Sequence, residues 1–281
     1  MLTDAADLAH HPVDQVWLCL PTDALEETSL RALAEAAPTA TIVSLAPGHF
    51  VKALVDRSFG PKRTVYGLIG MSSFVSPMKG STDPRETGTP AGIAYMLAVT
   101  KLGGENERRT LDAVSALRAG DCPTDYAPNV MNEMTLSSAM LMAVIASLEA
   151  AGWSFTTMRE PARARLAAAA IEESLSIAAA TTGEAFPLYG KLLVAPVVSM
   201  AALLAPKLAP LDLERFLEVH FGKVAEQTTL LLTTTQNDGE RLGLSTAALS
   251  ELISLRSEAQ RIGGAAPLAL PSSTDDEARA E

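Results

Sequence analysis

The sequence predicts the fold class α/β then all-α, a partial α/β layer followed by an all-helical domain. Near the N-terminus, short apolar runs alternate with a helical pattern and tight turns, which is typical of parallel strands joined by helices. From residue 129 onward, apolar residues recur at helical spacing, and glycine or proline stands at the segment ends. These two observations divide the chain near residue 127.

The α/β part begins with the apolar run at residues 16–20, which we expect to be a strand buried on both faces. The pattern then predicts a helix at 23–36, a strand at 41–45, a helix at 50–55 and a strand at 64–69. Short links between these segments indicate parallel pairing. Cys19 lies inside the first run, so we expect its thiol to be buried.

Residues 70–125 carry glycine and proline at irregular intervals, which indicates loops and a few strands with one helix at 105–119. The helical part is predicted to contain five helices, at 129–151, 160–182, 188–209, 211–237 and 245–263. The expected domains are 1–127 and 128–264. The tail at 265–281 is expected to be disordered.

Composition excludes several classes of function. Of the 281 residues, 48% are hydrophobic, which indicates a globular protein. The net charge of −11 disfavours nucleic acid and anionic membranes as partners. The two cysteines form neither a disulfide framework nor a metal motif, so no metal site is expected. Because no export signal precedes the first strand and the apolar run at 192–205 is too short to span a bilayer, a cytoplasmic protein is expected.

The first candidate site follows the first two predicted strands. In open α/β sheets, ligands bind beyond the carboxyl ends of the strands. The residues there, which we predict to bind a cofactor, are Leu20, Pro21, Thr22, Ala46, Pro47 and Gly48. The alternative is that both segments are ordinary tight turns. The phosphate-binding pattern G-x-G-x-x-G and a P-loop are both missing from the sequence.

The second candidate site is a polar cluster at residues 219–229. His220, Lys223 and Gln227 fall at helical spacing, and Glu226 is three residues after Lys223. Imidazole and ammonium groups deliver protons to carbonyl oxygens, so His220, Lys223 and Glu226 are candidate catalytic residues. Gln227 of the same cluster is a candidate substrate-binding residue. The alternative is a solvated helix face with one salt bridge.

Asn129 and Asn132 are candidate substrate-binding residues at the start of the first long helix. The alternative is that these two side chains only cap that helix.

The order VDQVWLCLPTDAL, TATIVSLAPG, YGLIGM, a glycine-rich strand region and a helical domain resembles the ketopantoate reductase family over residues 13–262. Those enzymes reduce 2-dehydropantoate to pantoate with NADPH. The resemblance implies a partial Rossmann-type parallel sheet and a helical C-terminal domain like that of 6-phosphogluconate dehydrogenase. It also implies NADP as cofactor, and it matches Glu226 to a glutamate that binds substrate.

The sequence departs from the family pattern at several places. The run VWLCLP looks like the family's fourth Rossmann strand, so the first three strands are expected upstream of Met1. Pro21 stands where the family has a cofactor-contacting lysine, and Pro47 replaces an asparagine near the nicotinamide. No lysine occurs between Lys101 and Lys191, where the family has its catalytic lysine. Lys223 or His220 is then expected to supply the missing acid.

Two functions follow from these features. The first is a divergent NAD(P)-dependent oxidoreductase that reduces a 2-keto acid or a related small carbonyl by hydride transfer. The alternative is a non-catalytic relative that serves as a helical dimerisation or ligand-binding module. In either case, a sheet without its first three strands exposes a strand edge, so a homodimer is expected. An unrelated helical protein is a third reading, which leaves the strand–helix–strand run unexplained.

Overall fold

A computed structural model describes residues 8, 11–78, 80 and 92–262. The tail predicted at 265–281 lies outside these residues. The chain divides into two compact units. The first comprises Met1–Pro77 and Thr89–Ser138, and the second comprises Met78–Gly88 and Ala139–Glu281.

The first unit contains all the strands that the structure describes. They are β1 (Gln15–Leu18), β2 (Thr41–Ser44), β3 (Thr64–Leu68), β4 (Met71–Ser76), β5 (Gly92–Leu97), β6 (Thr100–Gly103) and β7 (Thr124–Tyr126). Five of them form a sheet in the order β1-β2-β3-β6-β7, and β4 pairs with β5 in a separate antiparallel ribbon. The β1-β2-β3 part is parallel, as predicted, whereas β6 runs antiparallel to β3.

Helices cover both faces of this sheet. They are α1 (Glu27–Ala36), α2 (His49–Phe59), α3 (Glu107–Ala119) and the first turns of α4 (Val130–Ala150). On one face, Ile42 packs with Val51, Val55 and Val130 from α2 and α4. On the other face, Val43 and Val65 pack with Val114 of α3. The partial Rossmann-type sheet predicted from the sequence is therefore confirmed.

The strand β1 is shorter than predicted. Leu18 pairs with Ser44, the last residue of β2, so the chain beyond Leu18 has no neighbour in the ladder. Cys19 is consequently exposed, and the expectation of a buried thiol was wrong. The predicted helix at 23–36 begins instead at Glu27, after a 3-10 turn at Thr22–Ala24.

The second unit is helical. It contains the second half of α4 together with α5 (Phe155–Met158), α6 (Pro161–Thr182), α7 (Ala195–Leu208), α8 (Leu213–Lys223), α9 (Ala225–Leu242) and α10 (Ala247–Arg261). The single helix predicted at 211–237 was wrong, because Val224 leaves the helical conformation at φ −118°. Gly222 precedes this break, and glycine weakens a helix end because it gains no side-chain contact and loses the most backbone entropy.

A buried ion pair links three helices of the second unit. Arg256 of α10 donates from Nε to the Glu149 carboxylate of α4 at 2.5 Å, and from Nη1 to Thr229 Oγ1 of α9 at 2.8 Å. Gln260 donates to the other oxygen of Glu149 at 2.9 Å. The Arg256 side chain is 2% exposed and that of Glu149 is 10% exposed, so each charge depends on the other for compensation.

The first turn of α10 is capped by a side chain from another helix. Thr246, the residue that precedes α10, makes no hydrogen bond from its side chain to this turn. Instead, the Glu173 carboxylate of α6 accepts from the Leu249 N–H at 2.8 Å and from Ser245 Oγ at 2.5 Å.

Glu173→Ala is expected to lower the free energy of unfolding by about 1–2 kcal/mol, because it leaves the first turn of α10 without its acceptor. Urea unfolding measures this change. Glu172→Ala, at an exposed position on the same helix, is the matched control and should change stability by less than about 0.5 kcal/mol. Equal effects of the two substitutions would contradict the capping role.

Two segments have the length and apolar composition of a membrane span within the described residues. The first is α4, and half of its most apolar stretch is buried inside the protein. The second is α7 taken together with α8, which are bent by 101°. Both are weak indications of a membrane segment.

Candidate functional site

The turns after β1 and β2 lie together at the carboxyl ends of these strands. The hydroxyl of Thr22 donates to the Pro47 carbonyl at 2.7 Å, which joins the two turns. Gly48 has φ +112°, a conformation that side chains disfavour, and it directly precedes α2. Gly48 has no side chain with which to cap the first turn of α2.

The six predicted cofactor residues differ in exposure. Leu20 is 50% exposed and Pro21 is also exposed, whereas Pro47 is half-buried. Thr22, Ala46 and Gly48 are buried. Ala46 is 1% exposed and packs in the core, so it supports the turn and presents almost no surface to a ligand.

The turns after β1 and β2 fit one part of a nicotinamide dinucleotide site, whereas another part is missing from the sequence. The two joined turns and the N-terminus of α2 that follows Gly48 fit the half of a dinucleotide site that follows the later Rossmann strands. The glycine pattern that holds the pyrophosphate is missing from the sequence. Among the described residues, β1 pairs only with β2, so its other edge is open at this site.

An ion pair between Lys101 and Glu133 lies at the same end of the sheet. Lys101 of β6 lies opposite Leu68 of β3, and Tyr66, two residues before Leu68, lies opposite Ser44 of β2. Lys101 is therefore level with Ala46, which is two residues beyond Ser44. Lys101 Nζ donates to Glu133 of α4 at 2.5 Å. Both α4 and α2 pack on one face of the sheet, so this ammonium lies on the α2 side.

The Lys101–Glu133 pair is chemically suited to proton transfer. Both side chains are close to two-fifths exposed, so a substrate or water can reach them. An ammonium donates a proton to a developing alkoxide, and an adjacent carboxylate holds it in place. Sequence reasoning missed this pair, although a lysine inside the apolar run AVTKLGG was a signal.

Asn129 and Asn132 lie at the start of α4, directly before Glu133. They line a cavity of about 260 Å³ together with Gly103 and Gly104, which stand where β6 ends and β3 begins. The Asn129 carbonyl accepts from the Asn132 N–H at 3.0 Å, a helix-start contact. The described residues that line this cavity do not include those of the turns after β1 and β2.

The wall of this cavity contains a closed polar network. The Asp56 carboxylate accepts from the Tyr66 hydroxyl at 2.6 Å, from Thr64 Oγ1 at 2.8 Å and from Lys52 Nζ at 2.5 Å. Burial and the bond to Asp56 raise the pKa of Tyr66. Because the Tyr66 hydroxyl donates a hydrogen bond to Asp56, it stabilises the fold and is not available as an acid.

The predicted polar cluster of the helical part is split between two helices of the second unit. His220 and Lys223 lie in the last turn of α8, whereas Glu226 and Gln227 begin α9 beyond the break at Val224. The four residues therefore do not share one face of a single helix, as the spacing predicted. Lys223 and Glu226 are exposed.

His220 is the shielded member of this cluster. Its ring stacks on Phe216 at 5.5 Å and meets Phe221 edge-on at 5.0 Å. Burial, and secondarily the charge of Lys223, lower the pKa of His220 below its ordinary value of 6.5.

The pKa of His220 predicts a loss of stability in mild acid. Because the unfolded chain takes up this proton more readily than the folded chain, stability is complete above pH 6.5 and falls as the pH drops from 6.5 through the folded pKa. Urea unfolding between pH 8 and about pH 5 measures this dependence. His220→Gln should flatten it and Lys223→Gln should reduce it. An unchanged slope in His220→Gln would contradict the assignment.

The chain resembles known proteins in its fold and not in its sequence. No protein-family model and no curated protein matches the sequence. Among solved structures, D-mandelate dehydrogenase in complex with NADH aligns with a TM-score of 0.66 and 10% identity, over 89% of this chain and 80% of that chain. A ketopantoate reductase from Ralstonia eutropha aligns with a TM-score of 0.63 and 13% identity, over 90% of this chain and 80% of that chain. The chain has the ketopantoate reductase fold.

A further solved structure supports this assignment of the fold. The 2-dehydropantoate 2-reductase from Methylococcus capsulatus aligns with a TM-score of 0.61 and 16% identity, over 89% of this chain and 76% of that chain. The resemblance read from the order of strands and turns is thus confirmed for the fold. At such low sequence identity, these structural similarities establish the fold of the chain alone.

Proposed function

We propose that this chain is a divergent NAD(P)-dependent oxidoreductase of the ketopantoate reductase superfamily. It reduces a 2-keto acid or a related small carbonyl by hydride transfer. The observation that carries this proposal is the Thr22–Pro47 hydrogen bond, which joins the turns after β1 and β2 where Rossmann-type sheets bind ligands. The similarity to solved reductases and dehydrogenases supports the same class.

The proposed chemistry divides between cofactor and protein. A bound reduced nicotinamide supplies the hydride to the carbonyl carbon. The protein supplies the proton to the carbonyl oxygen, which yields the alcohol. Lys101 is the proposed donor, because its backbone lies level with Ala46 at the end of the sheet that holds the two turns. Glu133 accepts a hydrogen bond from this ammonium and orients it.

The predicted residues of the second unit enter the proposal as alternatives. His220 or Lys223 would donate the proton if Lys101 did not, with Glu226 as a further catalytic residue, and Gln227 would bind the substrate. Asn129 and Asn132 remain proposed substrate contacts through their cavity. The family resemblance favours NADP as the cofactor, and we propose a cytoplasmic homodimer in which a second copy covers the open edge of β1.

A second candidate function is a non-catalytic dimerisation or ligand-binding module. It is favoured by the missing glycine pattern and by the edge position of β1 among the described residues. Under this proposal, the turns after β1 and β2 serve only to close the sheet.

A turnover assay separates the two functions. The purified chain is incubated with NADPH and a panel of 2-keto acids, and the loss of reduced nicotinamide absorbance is followed. The reductase proposal predicts consumption that depends on the keto acid and is matched by formation of the 2-hydroxy acid. No consumption with any member of the panel, by a chain that is folded by circular dichroism, would favour the non-catalytic module.

A further inference from the structure

The second unit contains an apolar cavity that the proposed reduction does not use. Its volume is about 220 Å³, and it lies among four helices. The walls include Met140 and Val144 of α4, Met158 of α5, Ile171 of α6, and Val198 and Ala202 of α7. The cavity is open to solvent on one side, where Ala201 is exposed and Leu193 is half-buried, so a small molecule can enter it from outside.

The chemistry of the walls restricts that occupant. Every residue that lines the cavity is apolar. Water requires two to four polar partners to be held in a cavity, and a charged ligand requires still more compensation. The cavity volume of about 220 Å³ fits a single substituted ring or a short hydrocarbon chain.

The walls also allow such a ligand to be accommodated. Met140 and Met158 carry flexible thioether side chains, which adapt their shape to apolar ligands. Ala202 is buried, whereas Ala201 of the same helix is exposed and Ala205 is half-buried, so α7 forms both the floor and the rim. We propose that this cavity is a binding site for a small, uncharged apolar molecule, independently of the reductase activity.

The test uses toluene and benzoate as matched probes on the full chain. Both molecules contain one benzene ring, which carries a methyl group in toluene and a carboxylate in benzoate. Saturation-transfer NMR is expected to show saturable binding of toluene and none of benzoate at equal concentration. Failure of toluene to saturate up to its solubility limit, or equal binding of benzoate, would overturn the proposal.

Substitutions locate the binding. Ala202→Leu adds three carbons inside the cavity and is expected to weaken toluene binding at least about tenfold, because the added side chain occupies the space of the ring. Ala169→Leu, at an exposed position of α6, is the matched control and should leave binding unchanged. Should Ala202→Leu fail to fold, Ala205→Leu fills the cavity from its half-buried rim. Unchanged affinity in a folded filling variant would overturn the proposal.

Discussion

Arg256→Ala is expected to lower the free energy of unfolding by about 3–5 kcal/mol, because it leaves the Glu149 carboxylate buried without its counter-charge. The substitution also removes the donors to Thr229 Oγ1 and to the Ala225 carbonyl. These contacts join α4, α9 and α10, so the loss is expected to act on the whole helical unit. Urea unfolding followed by circular dichroism measures it.

Two controls separate the ion pair from the loss of an arginine in general. Arg261→Ala removes an arginine from the same helix whose side chain is 71% exposed and pairs with Glu258, and it should cost less than about 1 kcal/mol. The double variant Arg256→Met, Glu149→Gln removes both charges and should recover much of the loss. A cost below about 1 kcal/mol for Arg256→Ala alone would contradict the compensating role of the pair.

Lys101→Met is expected to lower kcat for carbonyl reduction about 10²–10⁴-fold, because it removes the proposed proton donor. NADPH binding should remain unchanged, since the proposed cofactor contacts are in the turns after β1 and β2. Glu133→Gln should keep part of the activity, because the carboxamide oxygen still accepts a hydrogen bond from the lysine although the opposite charge is lost. Stopped-flow and steady-state kinetics measure both effects.

The controls for Lys101 distinguish a catalytic from a structural role. Lys62→Met, at an exposed position of the first unit, should leave kcat unchanged. Full activity in Lys101→Met together with a loss in His220→Gln or Lys223→Met would place the proton donor in the α8–α9 region, as the sequence predicted. Loss of NADPH binding in Lys101→Met would mean that this lysine serves the cofactor.

The sequence predicted the features that depend on local pattern. The runs at 41–45 and 64–69 are continuous apolar segments bounded by turns, and both form parallel strands there. Pro161 and Gly183 mark the two ends of α6 because proline fits a first helical turn and glycine accepts the positive φ that follows the last one.

Features that depend on contacts distant in sequence escaped prediction. The Lys101–Glu133 pair requires β6 to turn antiparallel beside β3, which no spacing in the sequence encodes. Glu173 caps a helix that begins more than seventy residues later, as its 76-residue separation from Leu249 shows. The break at Val224 is a small local deviation inside a helical pattern, and it separates His220 from Gln227.

The central claim, that a nicotinamide cofactor binds at the carboxyl ends of β1 and β2, is tested most directly by titrating the chain with NADPH and following tryptophan fluorescence. Trp17 lies on β1 beside the proposed site, and its indole N–H donates to Gln15 at 3.1 Å. The expected result is saturable quenching with energy transfer to the nicotinamide, lost in Trp17→Phe and retained in Trp153→Phe. No saturable signal at millimolar NADPH would contradict the claim.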